Sequence, residues 1–420
     1  MVGWPGSWRA SWRASWQGLG GPARGLILAR LLRSVAQGAL VVDFSLYARA
    51  LGWSAPFLGL VLGVAMLFGA ALTGLVGPLS DRLGRRRFLL AYDGAVFVAA
   101  LVALAVPARL PLAGAAVVGG FGRGFNGAAG PFAPVEQAWL AGLVPERRLG
   151  RVLSFNMAVG FSGMTAGALL AAIPGLAGGG AAAYRPLFAL AALAAGAVFA
   201  LVRRLPEPAR AAQAGGGATL ARGERALVLR LALVNSLNGL GIGMVAPLLP
   251  LWFALRFGRG PGEIAPVVAA GLLLAAAASL LGGRLAGAIG TVRAVVVMRA
   301  AGLVFLVALP FAPDFAAAAA LYAARSASNR GTAGARQALA LGLVGGGRRG
   351  LVASVNTLSM QVPRALGPAV AGLLFARGDL ALPFLIAALC QGLYLVLYPW
   401  LFAGYDREAR DRAGRPEGGG

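Results

Sequence analysis

The chain has no histidine, no lysine and one cysteine, and only 12% of its 420 residues are charged. Each shortage removes a class of chemistry. The lone thiol, Cys390, cannot close an internal disulfide or found a cysteine metal cluster. With histidine also missing, a zinc site has no ordinary ligand set. Without lysine there is no phosphate-binding loop of the lysine type, so ATP-driven pumping is unsupported and an ion or solute gradient is the expected energy source. No paired carboxylates, histidine cluster or nucleophile–base pair is evident, so the chain does not read as an enzyme, and no cofactor is expected. Soluble domains carry roughly a quarter charged residues. Half that share, at this length, indicates a membrane protein.

What is present is apolar. Hydrophobic residues make up 59% of the chain and mean hydropathy is +0.76. Length alone would suggest two or three soluble domains, but twelve apolar segments override that. They lie near 25–48, 55–78, 87–106, 111–136, 150–173, 184–203, 227–251, 264–283, 294–312, 315–340, 350–375 and 380–402. Runs of about 20 residues cross ~30 Å of hydrocarbon as helix. The expected fold is therefore all-α and integral to the bilayer, with twelve transmembrane helices.

The net charge of +24 comes entirely from arginine. With abundant Ala, Gly and Pro, that reads as GC-rich codon usage. Its distribution excludes a nucleic-acid partner. Twenty-four of the 38 basic residues fall in the two tails and every second connection, and six in the alternate connections. Arginine sorted this way places both tails in the cytoplasm. The expected location is the cytoplasmic (inner) membrane, multi-pass, as a monomer.

The first residues repeat a four-residue unit, "SWRASWRASWQG". Trp4, Trp8, Trp12 and Trp16 would form a stripe on a helix, an interfacial anchor on one reading and a small tandem duplication on the other. The stretch lacks the apolar core and cleavage site of a signal peptide.

The expected domains are a tail over 1–24, a six-helix bundle over 25–203, a Pro-, Gly- and Arg-rich linker over 204–226, a second bundle over 227–402 and a tail over 403–420. The halves are related. Glu136–Asn156, "EQAWLAGLVPERRLGRVLSFN", and Arg336–Asn356, "RQALALGLVGGGRRGLVASVN", match at ten of 21 positions at a constant offset of 200. Parallel six-helix repeats are one plan of secondary transporters, with the substrate site near the bilayer midplane.

Between the second and third segments runs "GPLSDRLGRRR". Gly77-x-x-x-Asp81-Arg82-x-Gly84-Arg85-Arg86-Arg87 resembles the signature loop of the major facilitator superfamily, at the place in the chain where that family carries it. Arg123, followed four residues later by Gly127, is similar to that family's second motif. The resemblance covers about residues 25–402 and implies transport of a small-molecule substrate by alternating access. It implies that Asp81 faces the N-terminus of the eleventh helix, where a helix dipole favours an anion. It also implies pairing of Asp81 with Arg85 and with an acid low on the fourth helix, here Glu136. Together with Gly77, Arg82 and Gly84, these residues form a candidate cytoplasmic gate. Arg86 and Arg87 serve chiefly to hold the loop in the cytoplasm. The second half keeps the spacing, "GRLAGAIGTVR" over Gly283–Arg293, with Gly287 where Asp81 stood and Arg336 where Glu136 stood.

Charge inside a membrane is costly, so each such residue is a functional candidate. On the helices the plan puts around the cavity lie Arg30, Arg33, Gln37, Asp43, Arg123, Asn126, Asn235, Asn238, Arg325, Asn329 and Arg330. Arg30 and Arg33 stand near enough to the cytoplasmic end to snorkel. The resemblance implies that Arg123 lies near a titrating acid when transport is proton-coupled. Asp43 is the first candidate for that acid and Asp93 the second, unless Asp93 balances a neighbouring Arg. Arg364 orients the eleventh helix, or meets Asp81 or the cavity.

Core arginines outnumber core acids, which leans toward neutral or anionic solutes. The family's exporter motif, Gly-Pro in the fifth helix, is missing. "GFSGMTAGALL" keeps Gly160, Gly163 and Gly167, and Gly367-Pro368 appears at the repeat position. Gly122-x-Gly124-x-x-Gly127 fits a dinucleotide fingerprint but sits inside an apolar helix, where small residues mean close packing. The expected function is export of a small organic solute against proton influx. Uptake or exchange of a neutral or anionic metabolite is the alternative. A membrane sensor on a transporter scaffold is the alternative of another class.

Overall fold

The computed structural model describes residues 16, 19–123, 130–178, 180–207, 222–331 and 349–402. Every regular element among them is helical, and no strand occurs among the described residues. In the first half these are α1 (Gly21–Ala50), α2 (Ala55–Leu83), α3 (Arg85–Ala105), α4 (Arg109–Gly119), α5 (Ala133–Gly142), α6 (Glu146–Leu170), the one-turn α7 (Ile173–Leu176) and α8 (Arg185–Arg204). In the second half they are α9 (Arg222–Val245), α10 (Leu249–Phe257), α11 (Pro261–Ile289), α12 (Thr291–Ala308), α13 (Phe315–Arg330), α14 (Arg349–Ala376) and α15 (Leu382–Phe402). Nine helices among the described residues are long and apolar enough to cross a membrane. Large apolar side chains lie on their outer faces, such as Leu193, Leu389 and Val396, 72%, 65% and 70% exposed. Lipid would cover them, while the backbone satisfies itself within each helix.

Local chemistry sets the breaks. The fourth apolar segment, expected to run unbroken over 111–136, stops at Gly119. Gly120 and Gly122 take positive φ of 71° and 74°, a conformation other residues resist; where the description resumes, a 3-10 turn over Gly130–Phe132 leads into the helix at Ala133. The seventh segment parts between Val245 and Leu249, where Pro247 and Pro250 each lack a backbone N–H. Asp314 caps α13 by accepting from the Ala317 N–H at 2.8 Å. Gly84 and Gly290, with φ of 102° and 95°, make the same sharp turn before α3 and before α12.

The chain divides into two compact units. One comprises Met1–Trp53, Val64–Ala212 and Arg259–Ala269, the other Ser54–Gly63, Gln213–Gly258 and Ala270–Gly420. Each is built on the same pairings. In the first, α1 packs on α6 and α8, and α3 on α8 and α4. In the second, α9 packs on α14 and α15, and α12 on α15 and α13. Glycine makes the equivalent crossings close. At Gly167 a Cβ would collide with the Val35 carbonyl, and at Gly367 with the Gly243 backbone. The second unit also takes in the opening turns of α2, where Gly59 abuts the Pro368 carbonyl.

Candidate functional site

Arg33 sits about three turns into α1, and its fork reaches two acids on two other helices. Nε and Nη2 donate to the two carboxylate oxygens of Asp93 on α3 at 2.9 and 2.8 Å. Nη1 donates to Oε2 of Glu136 on α5 at 2.5 Å. Arg30, one turn earlier on the same face, stands 3.9 Å from the other Glu136 oxygen and donates to the Met157 sulfur. The side chains of Arg30, Arg33, Asp93 and Glu136 are 0%, 10%, 2% and 1% exposed. Of the two readings open for these arginines, cavity residue or snorkelling to the cytoplasm, snorkelling does not fit: carboxylates inside the bundle hold them. Planar bidentate geometry is what guanidinium offers and an ammonium does not. Two positive and two negative charges make the cluster balanced, which is the condition for burial.

A cavity of about 60 Å³ opens beside this cluster, room for a few water molecules. Arg33, Gln37, Tyr92, Asp93, Phe121 and Arg123 supply its polar and aromatic wall, with Ala and Gly between them. The break after α4 places Arg123. Its Nη2 donates to the Tyr92 hydroxyl at 3.1 Å and its Nη1 reaches the Ala65 carbonyl at 3.5 Å. Gly69 and Gly120 leave the space its guanidinium fills.

The acid that shares this cavity with Arg123 is Asp93. Asp43 is not among its lining residues. Asp43 lies further along α1, 1% exposed, and neither carboxylate oxygen has a hydrogen-bond partner among the described residues. Its electrostatic neighbour is Tyr184, which packs on Tyr47 with ring centroids 5.4 Å apart, and Tyr47 in turn packs on Phe188.

The gate residues are divided. Gly77, Asp81 and Arg82 belong to the last turns of α2, and their side-chain positions lie outside the description. Gly84 is the positive-φ turn. Arg85 donates from Nη1 to the Ala138 carbonyl at 3.0 Å, half a turn beyond Glu136, and Glu136 itself is engaged by Arg33. A residue that sequence reasoning missed stands at this turn. The carboxylate of Glu207 accepts from the Arg85 backbone N–H at 2.5 Å and from that of Arg86 at 3.4 Å, capping α3 with negative charge. Its signal was an acid just past an arginine-rich helix end, in "RRLPEP".

In the second unit Asn238 accepts from Arg299 Nη1 at 2.6 Å and donates to the Met360 sulfur. The Arg299 guanidinium lies 4.6 Å from the Tyr394 ring centroid, a cation–π contact. Asn329 accepts from Gln391 at 2.8 Å. Asn235 is buried on α9. Arg325 and Arg364 are buried on α13 and α14, and Arg330, at the end of α13, is hydrogen-bonded with the Tyr322 hydroxyl. Asn126, Arg336, Trp4, Trp8 and Trp12 lie outside the described residues. Among the described residues no group of His, Cys, Asp or Glu is arranged to hold a metal.

The sequence profile described as Major Facilitator Superfamily matches residues 26–230 and again 231–419. No curated protein matches the chain in sequence. Solved structures with the same fold include the nucleoside transporter NupG, at 12% identity and TM-score 0.69, covering 91% of this chain and 99% of that one. A bacterial homologue of the iron transporter ferroportin, inward-facing, superposes at TM-score 0.67 with 14% identity, covering 90% and 98%. A bacterial homologue of the human lysosomal transporter Spinster gives TM-score 0.66 and 15% identity, covering 92% and 96%.

Proposed function

The chain belongs to the major facilitator superfamily, and from that premise we propose that it exports a small organic solute across the cytoplasmic membrane by alternating access, coupled to proton influx. It is a multi-pass secondary transporter and not an enzyme. The observation that carries the coupling is Asp43, a carboxyl group held out of water with no hydrogen-bond partner among the described residues. An intramembrane acid of that kind is a place to take on and release a proton. The Arg33–Asp93–Glu136 cluster is its contrast, since one guanidinium fork holds both of those acids in place.

In everted vesicles with an imposed pH gradient, addition of the exported solute moves protons. Asp43→Asn abolishes gradient-driven transport and spares solute exchange. Full gradient-driven activity in that variant would remove Asp43 from the cycle. The loop from Gly77 to Arg87 is proposed as the cytoplasmic latch, its acid Asp81. Asp81→Asn then slows turnover more than it weakens binding, and a change in affinity alone would rule the latch out.

A second reading is uptake or exchange of a neutral or anionic metabolite. It is favoured by the charge balance of the second half, where arginines stand inside the spans and acids do not.

A further inference from the structure

Phe121 has two sets of neighbours. Its ring helps to wall the cavity that also holds Arg33, Gln37, Asp93 and Arg123. The same ring packs on Phe44 of α1 and on Phe188 of α8, with centroids 6.2 and 5.5 Å apart. Phe44 stands about two turns beyond Gln37 on the same face of α1, so it covers the end of the cavity away from the arginines. Phe188 carries the contact on to Tyr47 at 5.2 Å, and Phe44 leans on Trp53 at 6.1 Å. All five rings are buried.

Asp43 lies beyond this layer. It directly precedes Phe44, and Tyr47 follows it by one turn on its own face, at i+4. Its carboxylate has no hydrogen-bond partner among the described residues. The other ionisable groups at that end of α1 are Tyr184, Arg49 and Arg185. Asp43 and the polar cavity are thus separated by the rings of Phe44, Phe121 and Phe188, which offer water no hydrogen bond. An apolar constriction shuts a path by excluding water.

Of these three rings, Phe121 is the one not carried by a helix. It sits in the break after α4, between Gly120 and Gly122, both at positive φ. A Cβ on Gly119 would meet its ring at 2.5 Å, so bare glycine is what lets the ring fold back into the layer. Glycine on both sides lets it turn aside without unwinding a span.

We propose that Phe121 is a hydrophobic gate between Asp43 and the cavity, closed in this structure. With the ring in place, a protonated Asp43 is cut off from the cavity. With the ring aside, water reaches the carboxyl group, takes its proton and leaves the carboxylate. The gate rests on the reading of Asp43 as the coupling acid and gives that acid its access route.

The gate is read without solute. Purified protein is placed in phosphatidylcholine vesicles that hold a pH-sensitive dye. A potassium diffusion potential is imposed with valinomycin and the internal pH is followed. The parent holds the gradient. Phe121→Ala passes protons about tenfold faster or more, and Phe121→Ala combined with Asp43→Asn does not. A ring that only packs would lower the unfolding midpoint without opening a route that depends on Asp43. Where Phe121→Ala does not fold, Phe121→Leu is read in its place, with a smaller leak and the same dependence on Asp43. No leak from the folded variant overturns the gate. So does a leak that survives Asp43→Asn, since protons would then cross a damaged bundle. Failure of the coupling reading looks different. If the parent carries solute without moving protons while the Phe121 variant leaks through Asp43, coupling fails and the gate stands. If the parent couples and the variant holds the gradient, the gate fails alone.

Discussion

Arg33 carries more of the first unit than any other charged side chain described there. It joins α1, α3 and α5 through one planar fork, and its loss would leave Asp93 and Glu136 buried without the guanidinium both accept from. Arg33→Ala should therefore lower stability by about 3–5 kcal/mol. Arg33→Lys should recover only part of it, since an ammonium cannot bridge two carboxylates in the same plane. Thermal unfolding in detergent reads both. Equal midpoints for the Ala variant and the parent would show that the cluster adds nothing net. The arginines as a set show why burial alone does not assign a role. Arg30, Arg299 and Arg364 are all nearly inaccessible, yet a carboxylate, an amide with an aromatic face, and no described partner surround them respectively.

At the scale of elements, breaks and turns decide where polar groups stand. Arg123 reaches Tyr92 because α4 ends at a left-handed glycine and the chain leaves the helix. The turn before α3 also needs glycine. Gly84 has φ of 102°, and Gly84→Ala should cost about 1–2 kcal/mol from backbone strain. Gly114, inside α4 with open space around it, is the control, and Ala there should be neutral or mildly stabilising. Unfolding midpoints of the two variants test the contrast, and a shift of the same size and sign at both positions would refute it. The same turn at Gly290, with φ of 95°, and the matching helix pairings show that the repeat seen in sequence is structural. Where the second copy lost its acid it kept its glycine, because the turn requires a conformation and the acid requires a partner.

For the molecule as a whole, topology follows from arginine placement. Alkaline phosphatase fused after Phe402 should be inactive in cells, and fused after Asp379 it should be active, because the first point lies on the arginine-rich side and the second on the poor side. The opposite pattern would invert the assignment. Inside the first unit Arg30, Arg33, Asp93 and Glu136 form a balanced cluster, and Asp43 is an acid without a described hydrogen-bond partner.

How far the sequence could be read divides along physical lines. The all-helical membrane class, the two related halves and the family were legible, since they depend on the length of apolar runs, the spacing of one loop motif and a repeat at constant offset. The Gly84 turn was legible for the same reason, as a local demand on the backbone. Pairings across helices were not. Glu136 read as the partner of Asp81 and Arg85, and its engagement by Arg33 depends on which faces α1 and α5 turn to each other. Asp93 was visible as an acid that balances an arginine, but not which arginine. The fourth span looked continuous because glycine is apolar by composition, yet its freedom of φ ends the helix. Composition and period thus determined what kind of protein this is and how it lies in a bilayer, because hydrophobic transfer and backbone hydrogen bonding act residue by residue. Tertiary structure alone decided which buried charges meet a carboxylate and which meet an amide or an aromatic face, because ion pairing falls off within a few ångströms and those distances exist only once helices have packed.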